Sequence, residues 1–158
     1  MENLALHLSL HFSLEFIVGF VATACFAWLM RAPRKSPLVC GVIGSVGYLI
    51  FHAFSLFLGN DIIGCLAATT AIAIAGEICA RKFKMPATVY VFPAVIPLVP
   101  GFALYRTMYA LVQSDYSAFV RNGAETLFIA GSIAIPIAFV NIIARSISKN
   151  SKRNITST

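Results

Sequence analysis

The stretch FPAVIPLVPGFALYR, Phe92–Arg106, decides how this chain is read. Pro93, Pro97, Pro100 and Gly101 break up a run that is otherwise apolar, and Arg106 follows almost at once. In water, a backbone this interrupted forms a loop whose freed amides and carbonyls call for polar company. This stretch offers no such company before the arginine, so it asks for a setting both apolar and able to satisfy broken backbone.

The rest of the chain supplies that setting. Of its 158 residues 59% are hydrophobic and 11% charged, against about 25% charged in a soluble domain. Too little polar surface remains for life in water, and the chain reads as an all-α integral membrane protein. The net charge of +6 does not point to nucleic acid. Ten of the 12 Lys and Arg lie in three clusters: Arg31, Arg34 and Lys35; Arg81, Lys82 and Lys84; Arg145, Lys149, Lys152 and Arg153. Each cluster directly follows an apolar run, as cytoplasmic anchors do, and none builds a phosphate-binding face. The four cysteines sit in or beside apolar runs without zinc-type or disulfide-framework spacing, and read as small, buried, reduced residues. The apolar N-terminus has no basic n-region, which argues against a cleaved signal peptide.

A helix needs about 20 apolar residues to cross the hydrocarbon. Runs of that size cover Phe12–Met30, Leu38–Leu58, Ile62–Ala80, Thr88–Val112 and Ala124–Ala144, with short polar or charged connections between them. Five transmembrane helices are therefore expected, forming one domain over residues 1–145, with a flexible basic cytoplasmic tail at 146–158. Putting the basic clusters inside leaves the N-terminus outside and the C-terminus in the cytoplasm. The loop Gln113–Gly123 then lies outside. Gly41, Gly44 and Gly47, the alanine-rich third segment, and Gly131 give the helices small faces for close packing.

The centre of the fourth segment is Pro100. Three prolines do not fit one regular helix, so this helix is expected to break near Pro97–Gly101. Freed carbonyls at membrane depth need protein or a watery cavity, which turns the break inward. Pro100 also suits the first turn of a new helix, whose N-terminus presents free amides and partial positive charge to an anion such as a substrate carboxylate. Arg106 lies six residues past Pro100, about 9 Å along the axis. An arginine in a span is a functional candidate, although snorkelling to the outer surface is an alternative. The prolines have a plainer reading too, as kinks made for packing.

The run from Gly76 to Leu111, GEICARKFKMPATVYVFPAVIPLVPGFALYRTMYAL, resembles the C-terminal five-helix half of the threonine/serine exporter family. Glu77, Ala80 and Arg81; Pro86, Ala87 and Thr88; and Ile96–Gly101 with Tyr105 carry the resemblance. It implies a small subunit of a split, two-component exporter in the cell membrane. The substrates it implies are small carboxylate-bearing metabolites, threonine and serine or a dicarboxylate such as succinate. A separate five-span subunit of the same family is the implied partner. A first half that starts inside and crosses five times would end outside, where this chain begins. A non-transporting scaffold subunit and a channel of identical chains are the competing readings.

The expected substrate-binding residues are thus Pro97, Pro100, Gly101, Tyr105 and Arg106. Three further polar residues could couple transport to an ion or serve structure alone. Glu15 opens the first helix, where the helix dipole favours a carboxylate. His52 lies in the outer part of the second and could carry protons or simply bond a neighbouring helix. Glu77 is placed to pair with Arg81 one turn on, while Tyr90 and Tyr109 fit an interfacial belt. No catalytic or metal-binding motif and no phosphate-binding loop is present, so neither an enzyme nor a resident cofactor is expected.

Overall fold

The computed structural model describes the backbone of residues 2–33 and 36–155, and the side chains of 14–33 and 36–146. Every regular element among them is helical: α1 Glu2–Leu29, α2 Ser36–Leu58, α3 Asp61–Phe83, α4 Thr88–Val95, a 3₁₀ turn Ile96–Leu98, α5 Gly101–Val112 and α6 Tyr116–Ile155. Three stretches are long and apolar enough to cross a membrane, namely α2, α3 and Tyr116–Ser146 of α6. A multi-pass membrane protein follows. α4 with the 3₁₀ turn and α5 together make a further candidate, bent by 54° where they meet. In α1 the apolar stretch with described side chains is Leu14–Leu29, shorter than a full crossing.

Local chemistry sets the ends. Asn60 caps α3, its side chain accepting the amide of Ile62 at 3.0 Å, and Asp61 follows in the dipole-favoured first turn. At the other end Lys84 takes a left-handed conformation and donates its amide to Ala80, as a helix C-cap does.

The expected outer loop Gln113–Gly123 is much shorter in the structure. Asp115 ends the turn early: its Oδ1 accepts the Ala118 amide at 3.0 Å and the Ser117 hydroxyl at 2.9 Å, so α6 is under way by Tyr116. The amide of Ala118, then the Ser117 hydroxyl, hold the Asp115 carboxyl below its ordinary value. A lowered pKa means the cap is intact above the usual carboxylate range and is lost as pH falls through the lowered value. We expect amide exchange at Ala118 and Phe119 to accelerate on acidification below about pH 4, and Asp115→Asn to flatten that acid dependence. Exchange in both that is independent of pH, after correction for its intrinsic rate, would count against the cap.

The helices pack as α1 on α2, α2 on α3, α3 on α6 and α5 on α6, with α4 lying over α2 and α3. Close approach accounts for two glycines. A Cβ on Gly44 of α2 would sit 2.8 Å from Cγ2 and 3.0 Å from Cβ of Thr23 on α1, besides colliding with its hydroxyl. A Cβ on Gly76 of α3 would sit 2.5 Å from Cγ2 of Val91 on α4. Tyr90 is 1% exposed, which corrects its expected place in an interfacial belt. α4 lies inside the helix array, and the phenol has a partner there in the sulfur of Met85 at 3.6 Å. The Cys40 thiol adds a bond to the Val89 carbonyl.

Two other expectations change. Cys25 is exposed rather than buried, because its side of α1 faces outward; Cys40 and Cys65 are buried as expected. Arg81 does not pair with Glu77 among the described residues. Its Nη2 donates instead to the Ala144 carbonyl at 3.0 Å, tying the end of α3 to α6. A guanidinium at a helix terminus readily finds such a freed or shared carbonyl.

Candidate functional site

The break begins where Pro97 enters the 3₁₀ turn. Val99 is extended (φ −61°, ψ 129°), and Pro100 forms the N-cap of α5 at φ −75°, ψ 59°. The amide of Val99 donates to Ile96 at 3.1 Å and that of Gly101 to Val99 at 2.7 Å. Leu104 closes the first α5 bond onto the Pro100 carbonyl at 3.0 Å. The amides of Phe102 and Ala103 then have no acceptor within the helix, and no side chain caps this end. Two donors are left at the start of α5.

A cavity of about 380 Å³ lies against the break. Pro97 to Ala103 form one wall and Arg106 stands one turn further along α5. Tyr48 and Phe51 of α2, Asp61 and Cys65 of α3, and Asn122, Glu125 and Ile129 of α6 complete it. A Cβ added at Gly101 would meet nothing within 4 Å. This glycine is not demanded by packing, and its missing side chain leaves room in the cavity. The space suits a small metabolite.

Charge in the cavity is of both signs. Arg106 is exposed, with its guanidinium carbon 5.9 Å from the centre of the Phe102 ring. Asp61 accepts the Ser55 hydroxyl at the start of α3, and Glu125 lies exposed on α6. Asn122, one turn before Glu125, is 9% exposed. A cation and two carboxylates lining one small cavity can hold a ligand that carries an anion and a cation of its own.

Pro97, Pro100, Gly101 and Arg106 thus share one cavity, as their proposed common role requires. Tyr105 does not line it. Helical rotation turns that ring out onto Tyr109, with which it stacks at 6.1 Å, and it is 63% exposed. Glu77 lies 16 residues beyond Asp61 on α3, roughly 24 Å away along the axis, and does not join the site. α1 starts at Glu2, so Glu15 lies mid-helix rather than in the first turn, and the dipole argument does not apply to it. There it meets His52, whose Nε2 is 3.1 Å from Glu15 Oε1. His52 is one turn beyond Tyr48, so this pair adjoins the cavity through α2.

Sequence reasoning missed Asp61, Asn122 and Glu125. Asp61 was hidden in the turn Gly59–Asp61, and the α6 residues fell in or beside the supposed loop. The signal for α6 was its spacing: 122, 125 and 129 recur at i, i+3 and i+7, one face of a helix. A second, larger groove of about 740 Å³ between α1 and α2 is lined by Phe20, Trp28, Leu38 and similar residues. Among the described residues its lining is apolar apart from the Cys25 thiol.

Residues 15–143 match the family model described as "Threonine/Serine exporter, ThrE". The chain is 30% identical over 136 residues to a threonine/serine exporter of Corynebacterium glutamicum, a match that covers 86% of this chain and 28% of that protein. It is 22% identical over 127 residues to an uncharacterized protein of Haemophilus influenzae, covering 75% of this chain and 42% of the other. The chain therefore spans less than half the length of either relative. No solved structure matches it. With the family model matching most of its length, this chain belongs to the threonine/serine exporter family.

Proposed function

We propose that the chain is a membrane subunit of an exporter for small amino acids, threonine and serine among them, and that the cavity at the α4–α5 break is its substrate site. The observation that carries this reading is the mixed charge of the cavity. The free amides at the start of α5, together with Arg106, receive the substrate carboxylate, while Asp61 and Glu125 receive its ammonium group. A dicarboxylate fits the same lining less well, since two protein carboxylates would repel its second charge. The C. glutamicum relative, a threonine/serine exporter, points the same way.

In this reading α4, the 3₁₀ turn and α5 form one crossing, broken at mid-depth. With α1, α2, α3 and α6 they make five crossings of the plasma membrane. The basic clusters after α1 and α3 and at the C-terminal end of α6 put the N-terminus outside and the C-terminus in the cytoplasm. The cavity then occupies the outer half of the subunit. A second five-span chain of the same family completes the transport unit, a partner suggested by the short share of the C. glutamicum exporter that this chain matches.

Gly101→Leu tests the site. Its side chain enters open space, so folding and recovery of the complex should be unchanged, while efflux of preloaded labelled threonine or serine falls to about a tenth or less. Full efflux with the cavity filled would refute the site. Loss of the complex together with efflux would favour a subunit that only orients its partner.

A further inference from the structure

We propose that Glu15 and His52 together form the proton-binding site that couples export to the proton gradient. This rests on the exporter reading and adds to it the group that takes up the driving ion.

The two residues come from different helices, α1 and α2, and meet half-buried between them. Nε2 of His52 lies 3.1 Å from Oε1 of Glu15, and the side chains are only 33% and 20% exposed. Charged or titratable side chains at such positions are costly and tend to mark proton paths. α1 and α2 do not need the pair as a clasp, since Thr23 already packs tightly onto Gly44, and Phe20 onto Gly41. The carboxylate also has a vacant acceptor: Oε2 is buried and has no hydrogen-bond partner. A proton can settle there without displacing an existing bond.

The pair is placed to sense the substrate. Tyr48, one turn before His52, and Phe51, its neighbour, line the cavity together with Arg106, Asp61 and Glu125. Among the described residues, the elements packed around the pair contribute few other titratable groups. α1 offers Cys25, and α2 offers Tyr48 and the buried Cys40. α3 offers Asp61, bonded to Ser55 of α2, and Cys65, with Glu77, Cys79, Arg81 and Lys82 toward its other end. α4 offers Tyr90, whose hydroxyl is taken by Met85, and the 3₁₀ turn Ile96–Leu98 offers none. Among the described residues, Glu15 with His52 is the acid–histidine pair that joins α1 to α2.

The step balances as an exchange. The pair holding one proton, written as Glu15 carboxylate beside His52 imidazolium, takes a second proton from the outer side onto Oε2. A neutral carboxyl beside an imidazolium results. That proton leaves to the cytoplasm as one zwitterion moves outward, so each cycle carries one positive charge in.

The test uses everted membrane vesicles from cells that carry the altered gene at its own locus, so that any partner is present. Glu15→Gln and His52→Gln are compared with the unaltered chain in two assays. One is exchange of labelled for unlabelled threonine at equal concentrations, which needs no net proton movement. The other is accumulation of threonine driven by an imposed acid lumen. We expect exchange within about twofold of wild type and proton-driven accumulation lowered at least tenfold. Wild-type accumulation in either variant overturns the proposal. So does loss of exchange in step with accumulation, which would make the pair a clasp. Absence of exchange in vesicles of the unaltered chain overturns the exporter reading and this proposal with it, an outcome distinct from the other two.

Discussion

Arg106→Gln is expected to lower threonine and serine efflux by roughly 10- to 100-fold while leaving the amount of assembled protein unchanged. Glutamine keeps donors of similar reach but no charge, so a charge-assisted bond to the substrate carboxylate becomes a neutral one. Bonds to charged groups contribute about 1.5–3 kcal/mol, and the exposure of Arg106 puts its effect at the lower half of that range. Folding has little stake in the guanidinium, whose described contact is the face of Phe102 at 5.9 Å, worth about 0.5–1 kcal/mol at an exposed position. Initial efflux rates together with quantitative blots decide the matter. A rate within twofold of wild type would mean that the arginine points past the substrate. The mixed-charge reading makes a companion demand: Glu125→Gln must also impair amino acid efflux. If instead it left threonine efflux intact and improved that of succinate, the ammonium would have no partner in the cavity.

Gly44→Leu is expected to abolish folded protein, and Gly44→Ala to cost about 1–3 kcal/mol. The reason is the stiffness of what the new side chain meets. Thr23 is fully buried, and its Cβ, fixed to the backbone of α1, would lie 3.0 Å from the added carbon. A β-branched residue in a helix has few rotamers to retreat into, so the helices themselves must part. Gly131 is the control, because a Cβ there meets nothing within 4 Å; Gly131→Ala should change stability by no more than about 1 kcal/mol. Thermal midpoints of detergent-solubilised protein, read by size-exclusion chromatography, would show the contrast. Equal midpoints for the two alanine variants would mean that α1 and α2 stand further apart than described.

Much of the fold was legible because apolar length and proline chemistry are local properties. α2 and α3 begin and end within three residues of the segments read from composition. Pro97 and Pro100 coincide with the give between α4 and α5, whereas Pro93 is accommodated inside α4. What failed was of another kind. Tyr90 fits a membrane boundary by residue type, yet it is buried once α4 packs onto α1, α2 and α3, which no local pattern reveals. Arg81 was assigned the nearest carboxylate in sequence, whereas its bond goes to a carbonyl 63 residues away. The same limit governs the site. Pro97, Pro100, Gly101 and Arg106 share one local segment and could be grouped by reading, but Asp61 and Glu125 reach the cavity only through the packing of α3 and α6. The union of Glu15 with His52 depends likewise on the seating of α1 against α2.

The tightness of the glycine contacts is uneven, and that unevenness divides the molecule. α1, α2, α3 and α4 interlock where side chains occupy notches left by Gly41, Gly44, Gly64 and Gly76. α5 joins that block through the proline-rich joint and otherwise leans on α6, where a Cβ on Gly123 would find ordinary clearance of 3.5 Å from Thr107. A tightly notched frame thus carries a looser arm, and that arm bears Arg106. On the exporter reading proposed above, movement is expected first at the proline-rich joint rather than within the frame.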